Sequence, residues 1–126
     1  MVKQPRKPLK WVGSAKRDLD AMPADVKDVF GHALDVAQAG GKHLDAKPLA
    51  GFGSAGVLEV VEDFRGDTYR AVYTVKFAGW LYVLHCFQKK CKSGIKTPKA
   101  DMDLIQARLQ AAKQDFDAWR SRQGAQ

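Results

Sequence analysis

Two segments of the chain repeat apolar residues every three or four positions, which is the spacing of an amphipathic helix. The first segment follows Pro23, and its apolar residues are Val26, Val29, Phe30, Ala33, Leu34 and Ala37. The second follows Thr97-Pro98, and its apolar residues are Met102, Ile105, Leu109, Ala112, Phe116 and Trp119. Proline suits the first position of a helix, and Gly40-Gly41 marks the end of the first one. The pattern predicts two long helices, and Ser14 can cap a shorter one that reaches Met22.

Other segments are rich in β-branched and aromatic residues, as strands are. They are Leu9–Val12, Val57–Val61, Tyr69–Phe77 and Trp80–Phe87. Gly66-Asp67 and Ala78-Gly79 lie between the last three and suit tight turns. Residues 42–56 contain a proline and three glycines and are expected to form a loop. The order strand-helix-helix-strand-strand-strand-helix predicts an α+β domain, in which helices pack on a small, twisted, mainly antiparallel sheet.

The turn at Ala78-Gly79 sets the register of the two strands that it joins. A two-residue turn places Phe77 opposite Trp80, Val72 opposite His85 and Arg70 opposite Phe87. Since side chains alternate along a strand, four of them then share one face. They are Arg70, His85, Phe87 and Lys89. Cations for phosphate, a ring for stacking and a titratable imidazole together indicate an RNA site.

Length and charge narrow the function further. The 126 residues are enough for one domain, with residues 1–8 and 120–126 expected as tails. Twenty-one Lys and Arg against 14 Asp and Glu give a net charge of +7, which favours an anionic partner. The segment from Lys89 to Lys99, both ends included, contains five lysines and no acid. Lys90, Lys92 and Lys96 belong to this run and are candidate RNA-binding residues.

The cysteines and the hydropathy indicate a cytoplasmic protein. Cys86 and Cys91 are the two cysteines, and their spacing along a strand favours two reduced thiols over a disulfide. A zinc site would need more ligands in short paired spacings, so no metal is expected. No apolar run is long enough for a signal peptide or a membrane span.

Several segments, in order and with natural spacing, resemble the HigB-type, phage-derived branch of the RelE/ParE superfamily of bacterial toxins. The resemblance covers about Lys10 to Phe116. The segments that carry it are Lys47-Pro-Leu, Val57-Leu-Glu-Val, Asp67-Thr-Tyr-Arg-Ala-Val-Tyr73, Tyr82-Val-Leu-His-Cys-Phe-Gln-Lys-Lys90 and Gly94-Ile-Lys-Thr-Pro98. It implies a RelE-like fold.

The resemblance also implies an activity and its partners. Proteins of this kind are ribosome-dependent mRNA endonucleases that need no metal or other cofactor. They promote attack of a ribose 2′-OH on the adjacent phosphate, and a cognate helix-turn-helix antitoxin of the HigA type binds and neutralises them. Carried over to this chain, Arg70 would hold the scissile phosphate and Phe87 could stack on a base. Lys89 and Lys90 match a basic pair after the last strand, and Lys89 is the candidate catalytic residue of this pair.

The chain departs from RelE in two places that bear on acid–base chemistry. RelE has lysines in its second strand where this chain has Glu59, Glu62 and Asp63, and it has a tyrosine near its C-terminus where this chain has none after Tyr82. His85 is therefore the candidate general base, since its ordinary pKa of about 6.5 suits proton transfer near neutrality. A hydrogen-bonded core histidine is the alternative. Glu59 is a weaker candidate base, and the alternatives for it are a surface acid or a partner for Arg70 on the same sheet.

Two other functions fit the same fold. One is a ParE-like inhibitor of gyrase, which needs no residues for proton transfer. The other is a nucleic-acid-binding or antitoxin-binding module without catalysis. The expected clustering of Arg70, His85, Phe87 and Lys89 favours the nuclease.

Overall fold

The computed structural model describes residues 6–53, 56–89 and 97–124. Within them the elements follow in the order β1 (Leu9–Trp11), α1 (Ala15–Asp20), α2 (Ala24–Gln38), β2 (Ala46–Pro48), β3 (Val57–Phe64), β4 (Asp67–Thr74), β5 (Leu81–Lys89) and α3 (Lys99–Gly124). The strands form one sheet in the order β1-β5-β4-β3-β2. β1 runs parallel to β5, and the other neighbours are antiparallel. The predicted α+β class with a mainly antiparallel sheet is confirmed.

The sheet separates two apolar clusters. On one face α1 and α2 bury Leu19, Phe30 and Leu34 against strand residues such as Tyr73 and Val83. On the other face α3 is the one helix of the described residues that covers the sheet. Its buried residues Ile105, Leu109, Ala112 and Phe116 pack on Val57, Val72, Leu84 and Phe87. Alternation along the strands therefore divides their side chains between the two helical layers.

The ends of the helices lie close to the predicted positions. α1 follows Ser14, α2 follows Pro23, and α3 begins directly after Thr97-Pro98. After α2, Gly40 has a φ of 91°, a left-handed conformation that glycine adopts without steric cost.

The turn between β3 and β4 lies one residue earlier than predicted. Arg65 and Gly66 are its central residues, with φ of 52° and 85°. Two positive φ values match the twist of a tight hairpin, and Gly66 takes the second of them readily. Asp67, which was expected in the turn, is the first residue of β4.

The predicted register of β4 and β5 is confirmed where it matters for the site. Arg70 is paired with Phe87 and Val72 with His85. The turn also closes as predicted, since the Trp80 N–H donates to the Phe77 carbonyl at 3.0 Å. Between these two points Tyr73 is paired with Val83, so β5 carries one extra residue at Leu84. This β-bulge shifts the register by one residue. The chain has one more residue between Thr74 and Phe77 than between Trp80 and Tyr82, and this offsets the shift, so the predicted pairs return beyond the bulge.

Two segments are more ordered than predicted. Residues 46–48, expected within a loop, form β2 at the edge of the sheet, where Lys47 pairs with Glu59 of β3. Residues 120–124, expected as part of a tail, continue α3 to Gly124. Trp119 anchors this last part of the helix, because its ring packs edge-on against Trp80 at 5.6 Å.

Candidate functional site

A cleft of about 600 Å³ opens on the α3 side of the sheet. The segment after β2 forms one wall, the start of α3 forms the other, and side chains of β3 and β4 form the floor. The described residues that line it are Lys47, Pro48, Leu49, Ala50, Gly51, Glu59, Arg70, Thr97 and Met102. Clefts of this size that combine apolar walls with a few convergent polar groups are the usual form of a ligand site.

A buried ion pair lies on the floor of the cleft. Arg70 Nη1 donates to Glu59 Oε2 at 2.8 Å and to Thr97 Oγ1 at 3.1 Å. The side chains of Arg70 and Glu59 are only 6% and 7% exposed. Lys47 Nζ lies 3.8 Å from Glu59 Oε1, and its side chain is 62% exposed. Two cations therefore meet one carboxylate, and one of the cations extends toward solvent.

The register of three strands explains why these three charged side chains lie together. Lys47 on β2 is the direct partner of Glu59 on β3, while Arg70 on β4 is the partner of Val61 on β3. Glu59 and Val61 are two residues apart and point to the same face, so Arg70 reaches Glu59 diagonally. Thr97 joins them from the segment that leads into α3.

The other part of the cleft is apolar. Leu49 is buried there, and its N–H donates to the Val57 carbonyl at 3.0 Å, which fixes the loop to β3. Gly51 has a φ of 100°, and a Cβ at this position would lie 3.0 Å from Met102 Cε. The missing side chain thus lets the end of Met102 lie across the backbone of the loop.

His85 lies under α3 and is not among the residues that line this cleft. Its Nε2 is 2.8 Å from Asp101 Oδ1, and its Nδ1 is 3.4 Å from Arg108 Nη1. The ring stacks on Phe87 with centroids 4.4 Å apart and planes 13° apart. Both ring nitrogens of this buried histidine therefore have partners on α3.

Arg108 connects this histidine to the rest of the fold. Its guanidinium donates to the Leu84 carbonyl at 2.9 Å, at the bulge in β5, and to Ser14 Oγ at 3.1 Å, before α1. Gly13 makes room for it, because a Cβ there would lie 2.9 Å from Arg108 Nε.

Some of the expected site residues meet as predicted. His85, Phe87 and Lys89 alternate along β5, and Arg70 is paired with Phe87, so all four occupy the α3 face. All four are also buried, whereas the RNA site predicted from the sequence needs side chains that a ligand can reach. Of the four, Arg70 lines the cleft. Three further expected residues, Lys90, Lys92 and Lys96, lie outside the described residues.

Glu59 is more central to the site than the sequence predicted. It pairs with Arg70 as one reading of the sequence expected, but it is buried and not a surface acid. Lys47, Thr97 and Met102 were not candidates for the site. Lys47 could have been placed beside Glu59 only by recognising β2, which is too short to give a clear strand pattern.

Cys86, beside His85 in sequence, points to the opposite face of the sheet. Burial is the main cause that raises the pKa of its thiol to about 12, and Asp18 adds to it. A protonated thiol is a poor nucleophile near neutrality. In the described part of the chain, no three His, Cys, Asp or Glu side chains are grouped as metal ligands, and none of the helices there is long and apolar enough to span a membrane.

The family model described as Phage derived protein Gp49-like (DUF891) matches residues 17–110. The chain belongs to this Gp49-like family. The matched range runs from α1 into α3 and includes every described residue that lines the cleft. The Gp49-like family is associated with RelE- and HigB-like toxins, and such a toxin-like family implies an antitoxin partner. Neither the curated proteins nor the solved structures contain a significant match to this Gp49-like chain.

Proposed function

We propose that this protein is a HigB-type toxin of a toxin–antitoxin system that cleaves mRNA on the ribosome, with Arg70 and Glu59 at the reacting phosphate. The observation that carries the proposal is the buried Arg70–Glu59 pair on the floor of an open cleft, in a chain of a toxin-like family.

The chemistry of RNA cleavage by an internal nucleophile matches this pair. The 2′-OH loses its proton as it attacks the phosphorus, and negative charge grows on the phosphate oxygens. The bond between phosphorus and the 5′-oxygen then breaks, and the leaving oxygen takes up a proton from solvent. A carboxylate at the position of Glu59 can accept the proton. A guanidinium at the position of Arg70 can bind two phosphate oxygens at once, and Lys47 can add a second positive charge at the mouth of the cleft.

His85 has a different place in this proposal from the one that the sequence suggested. A general base must reach the substrate. His85 is not among the residues that line the cleft, and both of its ring nitrogens contact α3. We propose that His85 holds the first turns of α3 over the sheet, so that Thr97 stays beside Arg70. Catalysis by Lys89 and RNA binding by Phe87, Lys90, Lys92 and Lys96 stay predictions.

Induced expression followed by primer extension on cellular messages tests the function. We expect new 5′ ends within translated codons for the wild type. Glu59→Gln should lower the rate of their formation by roughly 10²–10⁴-fold, the usual contribution of a general base. Arg70→Ala should abolish them. Arg120→Ala removes an exposed arginine of α3 and is the matched control.

The stability of each variant must be measured beside its activity. Removing one partner of a buried ion pair costs roughly 3–5 kcal/mol, so Arg70→Ala can lose activity by unfolding. Arg70→Lys keeps a positive charge but not the two-pronged donor, and it is expected to fold and to cleave slowly. Cleavage at the wild-type rate by folded Arg70→Lys and Glu59→Gln would contradict the proposal.

The same experiment separates the alternative functions. DNA breaks that depend on gyrase, without new RNA ends, would identify a ParE-like inhibitor. Antitoxin binding with neither RNA ends nor DNA breaks would identify a module without catalysis.

A further inference from the structure

The cleft has two chemically different parts that lie side by side. Its floor carries the guanidinium of Arg70, the carboxylate of Glu59 and the hydroxyl of Thr97. Its far end is apolar, with Leu49, Ala50 and Gly51 on one wall and Met102 on the other. A ligand that fills both parts must have a charged group joined to an apolar one.

Loop backbone and one flexible side chain, Met102, bound the apolar end. Leu49 is held to β3 by its backbone, and Gly51 presents bare backbone to the methyl group of Met102. Methionine is flexible and polarisable, and its sulfur makes favourable contacts with aromatic rings. Met102 is only partly buried, so its side chain can move to let a ring lie beside it.

We infer that this apolar end, defined by Leu49, Ala50, Gly51 and Met102, is a subsite for one unstacked nucleobase of the RNA whose phosphate binds Arg70. The inference rests on the proposed function and adds the recognition of a base to it. Exposed Lys47 at the mouth of the cleft and the net charge of +7 favour a polyanion over an apolar peptide as the occupant. A nucleotide supplies the phosphate and the ring in one molecule.

The test measures binding to ribosomes that carry a cleavage-resistant mRNA. Each mRNA has a 2′-methoxy group in place of the attacking hydroxyl. One mRNA has a complete codon in the A site of the ribosome, and each of three others has an abasic nucleotide at a different position of that codon. At one position, removal of the base should weaken wild-type binding about tenfold, as expected for the loss of one base stacked in a protein site.

Variants of α3 assign this loss to the subsite. Met102→Ala should bind the intact mRNA about tenfold more weakly than the wild type, and it should no longer distinguish the abasic mRNA at the sensitive position. Met102→Leu restores apolar bulk and should regain most of the discrimination. Leu104→Ala removes a side chain of a residue that is 37% exposed on the same helix, and it is expected to behave as the wild type.

The outcomes separate this inference from the proposed function. If the wild type cleaves unmodified mRNA but Met102→Ala keeps the full abasic penalty, the subsite is wrong and the nuclease stands. If the wild type neither cleaves nor binds programmed ribosomes, both are wrong. If Met102→Ala weakens only antitoxin binding, a protein partner occupies this end of the cleft and the inference is overturned.

Discussion

Arg70 and Glu59 form an ion pair in a place where burial makes it expensive. Taking two charges out of water costs several kcal/mol each, and a pair of apolar side chains would often be at least as stable. The pair nevertheless lies on the floor of a cleft and not in the closed core. That position suits groups whose charges are used by a ligand, because strained or costly arrangements are common at functional sites.

His85→Gln separates packing from proton transfer at the residue scale. We expect a loss of roughly 1–3 kcal/mol in the free energy of unfolding, because the hydrogen bond to the Asp101 carboxylate is weakened. The cleavage rate per folded molecule should stay within a few-fold of the wild type. Urea denaturation and single-turnover cleavage on programmed ribosomes measure the two quantities.

A rate that falls a hundredfold in folded His85→Gln would restore His85 as a catalytic residue. Asp103→Asn is a suitable control for the surface of the same helix, since its carboxylate pairs only with exposed Lys99 among the described residues.

The residues of the site were partly predictable from the sequence. Arg70, His85 and Phe87 could be placed on one face because a tight turn and alternation predict their register. The bulge at Leu84 does not disturb this placement, because the extra residue before the turn offsets it. What covers that face could not be predicted, because it depends on the angle at which α3 crosses the sheet. The importance of Glu59 was hidden for a similar reason, since its partner Lys47 lies on a strand of three residues.

Glycines reveal how tightly single elements are packed. Gly31 lies within α2, and beyond its own stretch of helix no atom of the described residues lies within 4 Å of the position that a Cβ would take. Gly13, in contrast, has a φ of 57° and faces the guanidinium of Arg108. Gly31→Ala should therefore raise the free energy of unfolding by about 0.5–1 kcal/mol, since alanine favours the helix. Gly13→Ala should lower it by roughly 1–3 kcal/mol through backbone strain and displacement of Arg108.

Thermal or urea unfolding of the two variants measures these opposite changes in the free energy of unfolding. A Gly13→Ala protein as stable as the wild type would mean that Arg108 can leave its contacts with Leu84 and Ser14 at no cost.

Most elements were predictable, and the exceptions have physical causes. The two long helices and the strands of the meander follow from spacing and composition. The bulge at Leu84 does not, since the residues around it read as an unbroken strand. Arg108, twenty-four residues later, donates to the carbonyl of Leu84. A local pattern cannot contain information about so distant a partner.

At the scale of the whole molecule, Asp115 joins the N-terminal strand to the rest. Its Oδ2 accepts from Lys10 Nζ on β1 at 2.7 Å and from the Tyr82 hydroxyl on β5 at 2.8 Å. The hydrogen bond from Lys10 is the main cause that lowers the pKa of this carboxyl from its usual value of 3.8, and the hydrogen bond from Tyr82 adds to it. The contribution of this carboxylate to the free energy of unfolding is therefore complete above pH 3.8 and is lost as the pH falls through the lowered pKa.

Asp115→Asn should lower the free energy of unfolding by about 1 kcal/mol at pH 7, a modest loss because the Asp115 side chain is 46% exposed. The difference from the wild type should shrink as the pH falls below 3.8. Urea denaturation between pH 3 and 7 measures it, with Asp117→Asn on the exposed side of α3 as the control. A difference that grows toward acid would contradict this account of the carboxylate.

The cleft draws its floor and one wall from residues 47–70 and its other wall from Thr97 and Met102. Chains leave the ribosome from the N-terminal end, so the strands emerge before α3 does. A nascent chain that has released only its sheet carries Arg70 and Glu59, but it has nothing to close over them. The complete cleft therefore forms only after α3 has followed, and the antitoxin that such a toxin-like family implies has this interval in which to bind first.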